Sequence, residues 1–287
     1  MTGKRALAVA AAFLAALVLV VVPSRAWAAV DCSVVLAAGE TGLDTDNDGF
    51  TDFQECSGIT LADGTLVPPC SANSVRATCL DPNTRDLFII YAPAASGSLL
   101  PAGFNPFNPV QVYGVSFTGL AALGLTAHQI TPAQAAADRT VTSVSTEKAV
   151  RTSESLDTNG TILGNCQWGT PGGLDGCVIY TQRIMSFITS TCGANAIYTP
   201  GGVQSDINSV FLAYAVHTFL HETGHTTGGM TSLYNSSYGG YHYKCGAGTM
   251  MEQCVTYSVK GGKCSFNISG GWNTTISPTD LQTIKLK

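Results

Sequence analysis

The chain predicts an α+β fold: a twisted mixed sheet packed on one long helix and braced by disulfides. Three observations predict it. Residues 86–91 and 177–184 are short apolar runs with the length and β-branched content of strands. Phe211, Leu212, Ala215, Val216 and Phe219 recur at helical spacing, with His217, His221 and His225 at intervals of four on a different face. Ten cysteines, an even number, all lie after residue 28.

The first 28 residues read as a secretory signal peptide. Lys4 and Arg5 precede an apolar run over 6–22, then Pro23, and Ala26-Trp27-Ala28 offers a small-x-small cleavage site. The run is short for a membrane span, and Asp31 before Cys32 is wrong for a lipoprotein signal. Cleavage removes Lys4, Arg5 and Arg25 and no acidic residue, leaving 11 basic against 19 acidic groups, net −8. That balance excludes a basic nucleic-acid surface. The expectation is a secreted protein, extracellular or periplasmic, monomeric and off the membrane once cleaved.

Residues 29–80 form a cysteine-bearing segment, punctuated by glycine and proline and too small to build much core alone. Within it, Asp44, Asp46 and Asp48 alternate, Gly49 follows, and Phe50, Asp52 and Glu55 complete a twelve-position pattern. Oxygen donors at positions 1, 3, 5, 9 and 12, a backbone carbonyl at 7 (Phe50) and glycine at 6 suit a calcium ion. Alternation turns the carboxylates toward one point, and the ion screens charges that would otherwise repel. The loop resembles the single aspartate-rich loops of secreted bacterial proteins and of thrombospondin type 3 repeats. Gly39, Gly42 and Gly58 break the flanks, so no paired helix–loop–helix domain is expected. The ion is read as structural Ca2+.

The remainder, 81–287, opens with the strand at 86–91. Residues 92–112 read as loop, 118–134 is ambiguous with short helical stretches, 177–184 reads as a second strand, and the chain through 202 as loop. Past Met251 it turns β-like and polar, with Trp272 as the main apolar anchor. The cysteines cluster at 32–79 and 166–264, predicting two covalent neighbourhoods of undetermined connectivity. No C-x-x-C pair supports a cysteine metal site. Sequons stand at Asn159, Asn235, Asn267 and Asn273.

His221-Glu222-Thr223-Gly224-His225 spells H-E-x-x-H. On a helix, residues four apart share a face, so both imidazoles can bind one Zn2+. Glu222 lies about a quarter-turn away, able to take a proton from water that the metal acidifies. Only 5 of 287 residues are histidine, yet three recur at this interval, which argues against an accidental polar stripe. Gly228 and Gly229 supply the stop expected after the helix.

The longer run through Thr226, Thr227 and Gly228 resembles the H-E-x-x-H-x-x-G motif of the metzincin metalloproteases. The segment Cys245 to Met251 resembles that family's methionine turn, with Met251 as the floor beneath the metal. The resemblance covers residues 205–251 and implies a zincin-like catalytic domain with Glu222 as general base. One position departs from it: Thr231 stands where the family places its third histidine. His242 is the preferred third ligand, because imidazole is the commonest metal ligand and the preceding glycines allow a tight return. Glu252 is the alternative, in a gluzincin-like arrangement. Tyr241 or Tyr243 is available for the oxyanion. The function expected is a secreted zinc metalloendopeptidase acting on protein or peptide substrates. The alternatives are a zinc hydrolase of another bond and a catalytically silent, calcium-stabilised adhesion module.

Overall fold

The computed structural model describes residues 29–101, 125–143, 149–167, 176–193, 196–198, 204–226, 255–260 and 263–268. The N-terminal segment gives short helices α1 (Cys32–Ala38) and α2 (Asp52–Ser57) and a small ladder of β1 (Ile59–Thr60) with β2 (Leu66–Val67). Then come β3 (Arg85–Ala92), β4 (Leu125–Ile130), β5 (Val150–Ser155), β6 (Gly164–Gln167) and β7 (Gly176–Tyr180). Helix α3 (Thr181–Cys192), strands β8 (Ala196–Tyr198) and β9 (Gln204–Ser205), helix α4 (Ile207–Thr226), β10 (Val255–Lys260) and β11 (Lys263–Ile268) follow.

The central sheet is mixed, in the order β4-β3-β5-β7-β6. Its first four members run parallel, and β6 pairs antiparallel with β7 at the edge. Parallel strands are normally covered on both faces, and β3 shows why its sequence is apolar from Leu87 onward. Leu87 and Ile89 join a core with residues of α3 and α4, including Ile184, Ile188, Tyr214 and Phe219. Phe88 and Ile90 join a second core with Phe50, Ile59, Leu61 and Leu80 of the N-terminal segment. That segment therefore has no core of its own. It covers one face of the sheet, and the helices cover the other. A second sheet, β10-β11-β8-β9, extends the C-terminal side.

Two sequence expectations are corrected. The strand expected over 177–184 ends at Tyr180, 181–184 are the first turn of α3, and the loop expected from there through 202 holds β8 and the body of α3. Thr181, Ile184, Ile188 and Cys192 are its buried face, spaced three or four apart, so the helical period extends beyond the apolar run. Within 118–134, ambiguous in sequence, residues 125–130 form β4, and among the described residues Pro132–Gln134 makes a 3-10 turn. Leu125-Thr-Ala-His-Gln-Ile130 has little intrinsic strand preference; parallel pairing with β3, Arg85 opposite Leu125 through Ile90 opposite Ile130, decides its conformation.

Among the described residues, four disulfides join Cys32 to Cys56, Cys70 to Cys79, Cys166 to Cys177 and Cys192 to Cys264. All four fall inside the two neighbourhoods expected from clustering, and they indicate an oxidising, non-cytoplasmic compartment. No helix among the described residues is long and apolar enough to cross a membrane. Cys245 and Cys254 lie outside the described residues, as does the segment read as a signal peptide.

Glu154 of β5 fastens the sheet to its surroundings. It accepts hydrogen bonds from the Leu99 N–H and the Thr181 hydroxyl at 2.8 Å, from the Ala94 N–H at 3.3 Å and from the Ser98 hydroxyl. Burial alone would raise its pKa, but these donors outweigh burial and hold it below the ordinary glutamate value. A lowered folded-state pKa stabilises above the unfolded value near 4.3 and is lost as pH falls through the folded value. Glu154→Gln should therefore cost about 1–3 kcal/mol at neutral pH, and the gap from the unaltered chain should narrow in acid. Denaturant melts from pH 7 to 3 check this; a gap that stays constant or widens in acid contradicts it.

Candidate functional site

The pentad lies on α4, a helix of 20 residues packed against β5, β6 and β7. Val210, Phe211, Tyr214, Ala215, Val216 and Phe219 are buried, as the apolar stripe requires. The polar positions are buried too: His217, Thr218, His221, Glu222 and Thr223 are each less than a tenth exposed. The histidine face is thus an interior face. His221 and His225 are one turn apart on this helix, and the rings of His217 and His221 stand 6.2 Å apart between centroids.

Glu222 is held where α4 meets the edge strand. Gly164 of β6 passes so close that a Cβ there would lie 2.7 Å from both Glu222 Cγ and Thr218 Cγ2 and would collide with the carboxylate. Only glycine permits this approach. The disulfide of Cys166 and Cys177, a directly opposed pair on β6 and β7, sits over the Glu222 backbone, its sulfurs 2.8 and 3.1 Å from the carbonyl oxygen. Burial pushes the Glu222 carboxyl up to about 8. A cation beside it would act in the opposite direction. Neither Gly164 nor the bridge was singled out from sequence, because both meet the motif across some 45 to 60 residues of chain.

The side chain of His225 lies outside the described residues. So do Gly228, Thr231, Tyr241, His242, Tyr243, Met251 and Glu252.

The acidic loop is described throughout. Asp44 accepts hydrogen bonds from the Asp48 and Gly49 N–H groups at 3.2 and 3.1 Å, closing the turn, and Gly49 has φ +106°. Thr51 and Gln54 form a capping box that starts α2 and carries Glu55 into the interior. Asp44, Asp46 and Asp48 bring carboxylate oxygens within 4.8 Å of one another. Asp48, Glu55 and Asp86 do the same, and all three are fully buried. Both oxygens of Asp46, both of Glu55 and Oδ2 of Asp86 are buried without a hydrogen-bond partner.

Such a cluster is electrostatically incomplete. Burial first, and mutual repulsion second, push Asp46 and Asp48 well above the ordinary aspartate range, and Glu55 up to about 12. A hard divalent cation would reverse all three shifts, and an all-oxygen donor set fits one. Asp52 stands outside both converging groups: its two oxygens accept from the Thr45 N–H and hydroxyl, both at 2.8 Å. The Phe50 ring is wholly buried beside Phe88.

No family model matches the chain, and no curated protein or solved structure is significantly similar to it.

Gly164→Ala should cost roughly 1–3 kcal/mol, because swinging the carboxylate aside does not relieve the contacts at Glu222 Cγ and Thr218. Thermal melts alongside Asn165→Ala, an exposed neighbour on the same strand, measure it. Equal melting of the two variants would show that β6 does not press on Glu222.

Proposed function

We propose that this chain is an exported zinc metallopeptidase of the zincin kind, carrying a structural calcium in its N-terminal segment. The observation that carries the reading is the burial of His221 and Glu222 on the interior face of α4, against the edge of a mixed sheet. A carboxyl desolvated on that scale and placed between two histidines suits catalysis better than packing. The disulfides and the leader-like first 28 residues support export.

His221 and His225 would hold the zinc, with His242 completing the set. Bound there, zinc supplies Lewis acidity to a water and to the scissile carbonyl. The remaining work belongs to the chain. Glu222 takes the proton of the attacking water and returns it to the leaving amine. Gly164 and the Cys166–Cys177 bridge fix the backbone from which that carboxylate projects. The sheet edge at β6 runs beside the motif, where an extended peptide can lie.

Glu222→Gln should retain zinc yet lower peptide hydrolysis by about 10²–10⁴-fold. Metal analysis with a peptide-library digest reads both quantities, and full activity in a zinc-loaded variant would end the assignment. His242→Ala should lose roughly tenfold or more in zinc affinity, while Glu252→Ala should largely spare it. The reverse order in a competition titration with a zinc chelator would move the third ligand to Glu252.

A further inference from the structure

We propose that Asp86 of β3 ligates the same cation as the acidic loop, so that one ion fastens the N-terminal segment to the central sheet. The inference rests on the calcium reading of the loop and is independent of the peptidase reading.

Asp52, at the loop's ninth position, belongs to neither group of converging carboxylates; its oxygens turn to Thr45 instead, which keeps the loop's shape. Asp86 lies outside the loop in sequence but against it in space. It shares its face of β3 with Phe88 and Ile90, the side that packs on the N-terminal segment, and it is fully buried. Its carboxylate comes within 4.8 Å of ligand oxygens of Asp48 and Glu55.

The orientation is fixed. Nε2 of His128, on the neighbouring β4, meets Asp86 Oδ1 at 2.8 Å, and Nδ1 faces the Ala77 carbonyl at 3.2 Å. The ring stacks on Phe88 with centroids 4.7 Å apart. One oxygen of Asp86 is thus held by histidine. The other, Oδ2, is buried with no partner, and so are both oxygens of Glu55. Buried carboxylate oxygens are rarely left unmatched, because the desolvation cost is then uncompensated. These three belong to one cluster and can be matched together by one cation.

The loop is already docked on this strand. The Asp86 N–H donates to Asp48 Oδ2 at 2.7 Å, and Arg85 Nε donates to the Asp46 carbonyl at 2.8 Å. An ion shared by Asp46, Asp48, Glu55 and Asp86 adds a third tie at the same junction. The donors are all oxygen and His128 is engaged by Asp86, so the chemistry selects a hard cation. Many protein oxygens in a non-rigid loop favour calcium over magnesium, which keeps its waters.

Calcium titration of the mature chain by calorimetry, with Asp86→Asn and with Asp63→Asn as an exposed acidic control, tests the inference. Asp86→Asn still accepts the His128 hydrogen bond but loses the charge and the free oxygen. Its calcium affinity should fall roughly tenfold or more, with Asp63→Asn unchanged. Unchanged affinity in Asp86→Asn overturns the shared ligand while leaving the loop site standing. No calcium binding by the unaltered chain, or tighter binding of magnesium, overturns both. Should Asp86→Asn fail to fold, a crystal structure of the calcium-loaded unaltered chain decides. An Asp86 oxygen at about 2.3–2.6 Å from the ion supports the inference, and one held away from the ion refutes it.

Discussion

A strand covered on both faces has no place for an unmatched charge, and β3 carries a buried carboxylate, Asp86, near its start. Leu87 and Ile89 point into the helical side of the sheet, Phe88 and Ile90 into the N-terminal side, and Asp86 shares the second of these faces. The buried Asp86 carboxylate must find its partners from elements distant in sequence. His128 comes from β4, and Asp48 receives the Asp86 backbone N–H from the acidic loop. The position of the N-terminal segment follows from this requirement as much as from the apolar contacts of Phe50 and Leu80.

The same requirement explains why residues 29–80 belong with the sheet. Their apolar side chains are too few for a separate interior, and those present are completed by Phe88, Ile90, Ile130 and Val141. Two disulfides, Cys32 to Cys56 and Cys70 to Cys79, hold the segment's own turns together. Neither bridge reaches the sheet. Attachment is left to the second core, to the Arg85 and Asp86 hydrogen bonds and, in the reading proposed above, to a shared ion.

On the opposite face, the register of one edge strand sets the chemistry available to α4. The antiparallel pairing of β6 with β7 places Cys166 opposite Cys177 and brings Gly164 over the helix. A residue with any side chain at Gly164 would hold the strand off and open the site. With glycine there, Glu222 is desolvated and its protonation responds to whatever charge is placed beside it. An edge strand thus shields this carboxyl from bulk water, and burial alone accounts for its raised pKa.

The sequence alone determined what depends on near neighbours. A four-residue spacing puts His221 and His225 on one face of a helix, alternation with Gly49 closes the acidic loop, and apolar runs mark strands at 86–91 and from 177, though not where the second one ends. Clustered cysteines marked out the two covalent neighbourhoods. A carboxylate at the head of an otherwise apolar run was a visible signal at Asp86, but its meaning was not, since Asp48 and His128 lie about 40 residues away on either side. The tertiary structure decided that Leu125–Ile130 is a strand, that Asp52 turns to Thr45, and that Gly164 and a disulfide bear on Glu222. Local periodicity fixes which residues share a face of one element. Which faces meet is set by long-range pairing and burial, and that is where Asp86 and Gly164 acquire their roles.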